Sequence, residues 1–122
     1  MVGFKWLPLF AMTCISWPAI ADQAPQNPAQ KCDIGPVTRQ YGGSAWLVYG
    51  CSDNKSLAFV TAPNSPATPF VFFYLYSQNR YHLYGEGNGS KKLTDSAFSD
   101  LKKLTPSQIE ALLIDTSNVM HN

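Results

Sequence analysis

Hydrophobic positions divide the chain into three regimes. Trp6 to Ile15 form a largely apolar stretch behind Lys5. Every aromatic residue beyond position 21 except Phe98 then falls between Tyr41 and Tyr84, gathered in short runs separated by turn-forming residues. From Leu93 onward the apolar positions recur at three- and four-residue intervals, the period of an amphipathic helix.

The middle regime reads as strands. Ser44 to Cys51 is almost wholly apolar and is followed by the polar turn Ser52-Asp53-Asn54-Lys55. A second run, Ser56 to Ala62, ends at Pro63-Asn64-Ser65-Pro66-Ala67-Thr68-Pro69, whose prolines cannot donate to a ladder. Phe70 to Tyr76 is the most strand-prone segment of the chain, because β-branched and aromatic side chains suit a pleated surface. Gln78-Asn79 separates it from Arg80 to Tyr84 at the spacing of a two-residue hairpin. Val37 to Tyr41, ahead of Gly42-Gly43, supplies a further strand. Short links between consecutive strands predict an antiparallel meander of four to five strands over about residues 37–86.

Alternation along the strongest strand places Phe70, Phe72, Tyr74 and Tyr76 on one face and Val71, Phe73 and Leu75 on the other. Both sets are apolar. Tyrosine, with its polar tip, suits a half-exposed face, so the expectation is that Val71, Phe73 and Leu75 lie beneath the helices. The aromatic set would then be the open face.

The C-terminal segment predicts two helices over about residues 95–117. Thr94 is the expected N-cap of the first, with Leu93 and Phe98 in staple positions around it. Thr105-Pro106-Ser107-Gln108 has the pattern of a capping box with proline at the first helical position, flanked by Leu104 and Ile109. The stripe Ile109, Leu112 and Leu113 ends near Thr116, leaving Asn118 to Asn122 to fray. Strands followed by helices, rather than alternating with them, define an α+β fold with two C-terminal helices packed on one face of the sheet.

The N-terminal regime has the grammar of a secretory signal peptide. Lys5 precedes the apolar stretch, Pro18 breaks the helix beyond it, and Ala19 and Ala21 occupy the small positions before a cut at Asp22. An uncleaved anchor is disfavoured, since the stretch is too short to cross ~30 Å of hydrocarbon and contains Pro8. A lipid-bearing Cys14 is disfavoured because leucine is missing three residues before it. The organisation expected is therefore a signal peptide over 1–21, a polar proline- and glutamine-rich tether over 22–31, and a single α+β domain over 32–122. No segment beyond the leader is long and apolar enough to span a membrane, which points to a periplasmic or secreted product.

Composition narrows the chemistry. The chain of 122 residues is 45% hydrophobic but only 14% charged, against roughly 25% in ordinary soluble domains. Without Lys5, basic and acidic side chains are equal in number. Such a balance lacks the basic cluster that nucleic-acid or anionic-membrane binding requires. Beyond Cys14 two cysteines remain, Cys32 and Cys51, and in an oxidising compartment they read as one disulfide. A catalytic dithiol usually has its cysteines two residues apart at a helix start. Closing this loop is worth roughly 3 kcal/mol through the entropy of the unfolded chain.

Candidate catalytic groups are few. The Gly85-Glu86-Gly87-Asn88-Gly89-Ser90-Lys91-Lys92 loop lacks the Gly-Lys pair of a phosphate-binding loop and reads as a connector. His82 is the only histidine outside the last two residues, too few for a zinc site once the cysteines are paired, so no metal or other cofactor is expected. The reading that best suits these residues is a small exported non-catalytic binding module, of inhibitor, adaptor or accessory-subunit type. Its candidate binding residues are Trp46, Tyr74, Tyr76, Tyr84, His82 and Glu86, and the partner expected is a protein or glycan of the envelope or extracellular space. Two alternatives are a small periplasmic hydrolase built on His82 and Glu86, and a structural subunit of an envelope assembly pairing through an exposed sheet edge.

Overall fold

The computed structural model describes residues 30–120. The leader, most of the tether and His121 lie outside the described residues. Five strands run in chain order: β1 (Ile34–Tyr41), β2 (Ser44–Gly50), β3 (Leu57–Thr61), β4 (Phe70–Ser77) and β5 (Arg80–Gly87). They form a single antiparallel sheet in the order β1-β2-β3-β4-β5, followed by α1 (Lys91–Leu101) and α2 (Pro106–Met120). The α+β meander with two C-terminal helices is thus the observed fold, with five strands.

Two turns set the meander. Gly42 and Gly43 both have positive φ, at 60° and 80°, which closes β1 onto β2 in two residues. Gly42 is also required by packing: a Cβ there would collide with the backbone of Ser96 and Ala97, and its N–H donates to Asp100 Oδ2 at 2.6 Å. The first hairpin is thereby held against α1. Gln78 and Asn79, at φ 55° and 67°, make the corresponding turn between β4 and β5.

The helices cover the face opposite to the one expected. Register places Val48 beside Phe59 and Phe59 beside Phe72, while Leu57 lies beside Tyr74. With Trp46 these residues form the buried layer, packed against Ala97 and Leu101 of α1 and Ile109 and Leu112 of α2. Phe72 is 2% exposed and sits among Trp46, Phe70 and Phe98 at ring separations of 5.3, 4.9 and 6.1 Å. Val71, Phe73 and Leu75 therefore point away from the helices. The physical reason lies in the neighbouring strands. Trp46, Val48, Leu57 and Phe59 share the face of Phe72 and Tyr74, whereas the other face of those strands carries Leu47, Tyr49 and Val60 with the small Ala45 and Ala58, so with the four aromatic rings of β4 the larger apolar volume is on the Phe72 side.

Element ends also shift. β1 begins at Ile34, three residues ahead of Val37, across an irregularity in its pairing with β2. α1 starts at Lys91 with Ser90 as N-cap, not at Thr94, because Asn88 and Gly89 donate to the Pro69 carbonyl and end the connector early. Thr94 instead lies buried in the first turn, its hydroxyl donating to the Lys91 carbonyl at 3.2 Å. The second cap is as the pattern predicts. Gln108 N–H donates to Thr105 Oγ1 at 3.1 Å, and Thr105 N–H donates to Gln108 Oε1 at 2.9 Å. α2 continues past Thr116 to Met120, since Thr116 is itself fully buried and a Cβ on Gly50 would meet its hydroxyl. The Arg39–Asp115 ion pair, 2.8 Å, joins α2 to β1.

Candidate functional site

The helices leave one face of the sheet without a covering layer among the described residues. Strand alternation and register assemble that face from Leu47 and Tyr49 of β2, Val60 of β3, Val71, Phe73 and Leu75 of β4, and His82, Tyr84 and Glu86 of β5. All of these except Tyr84 and Glu86 are half-buried by their neighbours, and Tyr84 is 48% exposed. Phe73 and Tyr84 are register partners with ring centroids 5.6 Å apart at 38°, and Leu75 pairs with His82.

At the end of this face nearest the β4–β5 turn is a hollow of about 680 Å³. Phe73, Leu75, His82 and Tyr84 line it, and the polar rim includes Gln30, Asp53 and Ser77. The rim is built by local chemistry. Asp53 turns the chain between β2 and β3 by accepting from the N–H groups of Lys55 and Ser56, at 2.9 and 2.8 Å, and from Ser56 Oγ at 2.7 Å. Partial burial alone would raise the Asp53 pKa, but these hydrogen bonds outweigh it and hold the carboxyl below its ordinary value. The Cys32–Cys51 disulfide fixes the incoming chain beside that turn. Ser52 adds to the anchorage: its N–H donates to the Lys31 carbonyl at 2.7 Å and its hydroxyl donates to Gln30 Oε1 at 3.0 Å. Gln30 and Lys31, at the end of the expected tether, are therefore secured to the domain.

The six candidate residues divide across the sheet. Tyr84, His82 and Glu86 share the uncovered face. Trp46 and Tyr74 belong to the core, at 0% and 7% exposure, and the Trp46 indole N–H donates to the Tyr41 carbonyl at 3.2 Å. Tyr76 alternates with Tyr74 along β4 yet, at the end of the strand, also lines the hollow with His82 and Tyr84; it is half-buried, with its ring 4.9 Å from that of Tyr81 and Lys55 Nζ 4.9 Å from its centroid. Burial pushes the hydroxyl pKa of Tyr74 and Tyr81 upward, and for Tyr81 the nearby Tyr76, Asp53 and Glu110 add to the rise.

Residues that strand-by-strand reasoning passed over are Phe73 and Leu75 together with Leu47, Tyr49, Val60 and Val71. The signal that could have found them is the difference in bulk between the two faces, summed over all strands. The hydrolase pair does not come together: four residues along one strand separate His82 from Glu86 by roughly 13 Å, beyond direct proton transfer. His82 Nε2 lies instead 3.4 Å from the Ser77 carbonyl oxygen. Among the described residues no group of three or more His, Cys, Asp or Glu side chains is gathered to hold a metal ion. No described helix is long and apolar enough to cross a membrane. The chain matches no protein-family model, no curated protein and no solved structure.

Proposed function

We propose that the protein is an exported, non-catalytic binding module whose recognition surface is the uncovered face of the sheet, and that its partner is a protein presenting an apolar patch. The observation that carries this reading is the contiguous row Leu47, Tyr49, Val60, Val71, Phe73, Leu75 and Tyr84 on a sheet face with no covering layer among the described residues. Contiguous apolar surface of this kind marks interaction sites on folded proteins, and tyrosine is among the residues that most often anchor interfaces. Branched aliphatic side chains fill much of the row, which suits a protein surface better than the flat ring of a sugar. The disulfide and the anchored β2–β3 turn hold the face rigid, so little conformational entropy is lost on binding.

The test is capture from an extracellular or envelope extract by immobilised, oxidised protein, with three forms compared. Wild type retains a partner. Tyr84→Ser combined with Leu75→Ser loses it while keeping a cooperative thermal transition. Ile114→Ser, which removes a 55% exposed residue from α2, retains it as wild type does. Loss with Ile114→Ser, or retention by the double variant, overturns the reading.

A further inference from the structure

The two edges of the sheet differ in how they are protected. At one edge, β1 has an irregularity between Ile34 and Val37, contains Pro36, which has no N–H, and packs against both helices. Such features discourage further strand addition. At the other edge, β5 pairs with β4 without interruption from Ser77–Arg80 to Phe70–Gly87 and contains no proline. The helices lie mainly over β1 and β2, leaving the β5 side of the second layer open.

Hairpin geometry determines which groups of β5 face outward. A two-residue turn with both central residues at positive φ is closed by a hydrogen-bonded pair, here Ser77 and Arg80. Counting by two, the backbone groups of Arg80, His82, Tyr84 and Glu86 point to β4, and those of Tyr81, Leu83, Gly85 and, at the strand's end, Gly87 point outward. Among the described residues these outward groups have no hydrogen-bond partner in another loop or helix.

From this edge we infer that the protein forms a two-fold homodimer in which β5 pairs antiparallel with its own copy, centred on Leu83. In that register Leu83 faces Leu83 of the partner subunit, and Tyr81 faces Gly85 of the partner subunit, so the outward residues Tyr81, Leu83 and Gly85 exchange both backbone hydrogen bonds. The remaining residues form the closer, non-hydrogen-bonded pairs, all on the uncovered face. Arg80 meets Glu86 of the partner subunit and His82 meets Tyr84 of the partner subunit, each pair occurring twice by symmetry. Arg80 and Glu86 are both exposed in the single chain, where neither takes part in an ion pair among the described residues. Moving the register two residues toward the turn sets His82 against His82 of the partner subunit. Moving it two residues the other way sets Tyr84 against Tyr84 of the partner subunit, and either shift separates Arg80 from Glu86. Charge complementarity thus selects a second copy as the occupant and fixes its register.

The consequence is one continuous sheet through both subunits. Each hollow lies beside the shared edge, so Tyr84 of the partner subunit extends the wall that His82 begins, and the two uncovered faces merge into one surface. The dimer does not depend on the partner-binding reading, because its contacts are the strand edge and the two charges.

The experiment is sedimentation velocity on the oxidised protein from about 1 μM to about 1 mM, the range suited to a small interface. Wild type shows a concentration-dependent shift from monomer to dimer. Glu86→Arg sets like charges opposite each other twice and weakens association on the order of thirtyfold. Arg80→Glu does the same, and the double variant, with both charges exchanged, restores the wild-type dissociation constant. Circular dichroism of each variant establishes that the fold is retained. A monomer throughout the range, or association unaffected by the single charge reversals, overturns the proposal. So does a double variant no better than the singles.

Discussion

Phe72 and Phe73 are sequence neighbours of identical chemistry on opposite faces of one strand, so truncating each in turn reads directly which face the helices cover. Phe72 is 2% exposed and packed among Trp46, Phe70 and Phe98, and removing its ring leaves a cavity that the surrounding aromatic groups cannot fill. Phe72→Ala should cost about 3–5 kcal/mol, the range for a fully buried phenylalanine. Phe73 is half-buried, with Tyr84 as its ring partner, and can be replaced in part by solvent. Phe73→Ala should cost about 1–2 kcal/mol, combining partial burial with one aromatic pair. With a urea m-value of about 1.5 kcal/mol per M, the first change lowers the unfolding midpoint by about 2–3 M and the second by about 1 M. The assay is equilibrium urea denaturation of the oxidised proteins followed by tryptophan fluorescence, to which buried Trp46 contributes. Because Phe72→Ala can leave too little stability to measure, Phe72→Leu and Phe73→Leu provide the same comparison at smaller cost. Equal losses, or a larger loss at Phe73, would refute the placement of the helices.

The helix caps offer a second contrast: Thr105→Ala should cost about 1 kcal/mol and lower Tm by about 4–8 °C in calorimetry, whereas Ser90→Ala, whose hydroxyl makes no capping bond, should change stability by less than about 0.5 kcal/mol. Tyrosine ionisation gives a third. Burial raises the Tyr41, Tyr74 and Tyr81 pKa values above the ordinary 10.0, while the unfolded chain keeps ordinary tyrosines. The stabilisation this represents is fully present below about pH 10 and is lost as the pH rises through the folded-state values. Absorbance titration near the phenolate band should therefore show late ionisation, and denaturation midpoints should begin to fall above pH 10.

Strand existence, the hairpin turns and the second helix cap were legible in the sequence because each depends on neighbours a few residues away, and the cysteine pair, 19 residues apart, was legible because only two cysteines lie beyond Cys14. Gln78-Asn79 and Thr105 to Gln108 need no tertiary information. The facing of β4 was not legible from β4 alone, since both of its faces are apolar and the deciding bulk comes from Trp46, Leu57 and Phe59 on other strands. Thr94 misled for a related reason: it resembles a cap, but Pro69 draws in the preceding backbone and starts the helix earlier, leaving Thr94 as a buried first-turn residue. The candidate site was half legible. Tyr84, His82 and Glu86 share β5, where alternation alone groups them, whereas Trp46 and Tyr74 are aromatic residues whose burial is decided by register.

The most direct measurement of whether the uncovered face is the recognition surface is methyl-resolved NMR of the oxidised protein titrated with the partner it retains. Methyl signals of Leu47, Val60, Val71 and Leu75 should shift or broaden, while those of Leu101, Ile109 and Leu112, buried on the far side of the sheet, hold their positions. Perturbation confined to Ile114, Val119 and the other exposed positions of α2, with the sheet-face methyls unmoved, would contradict it.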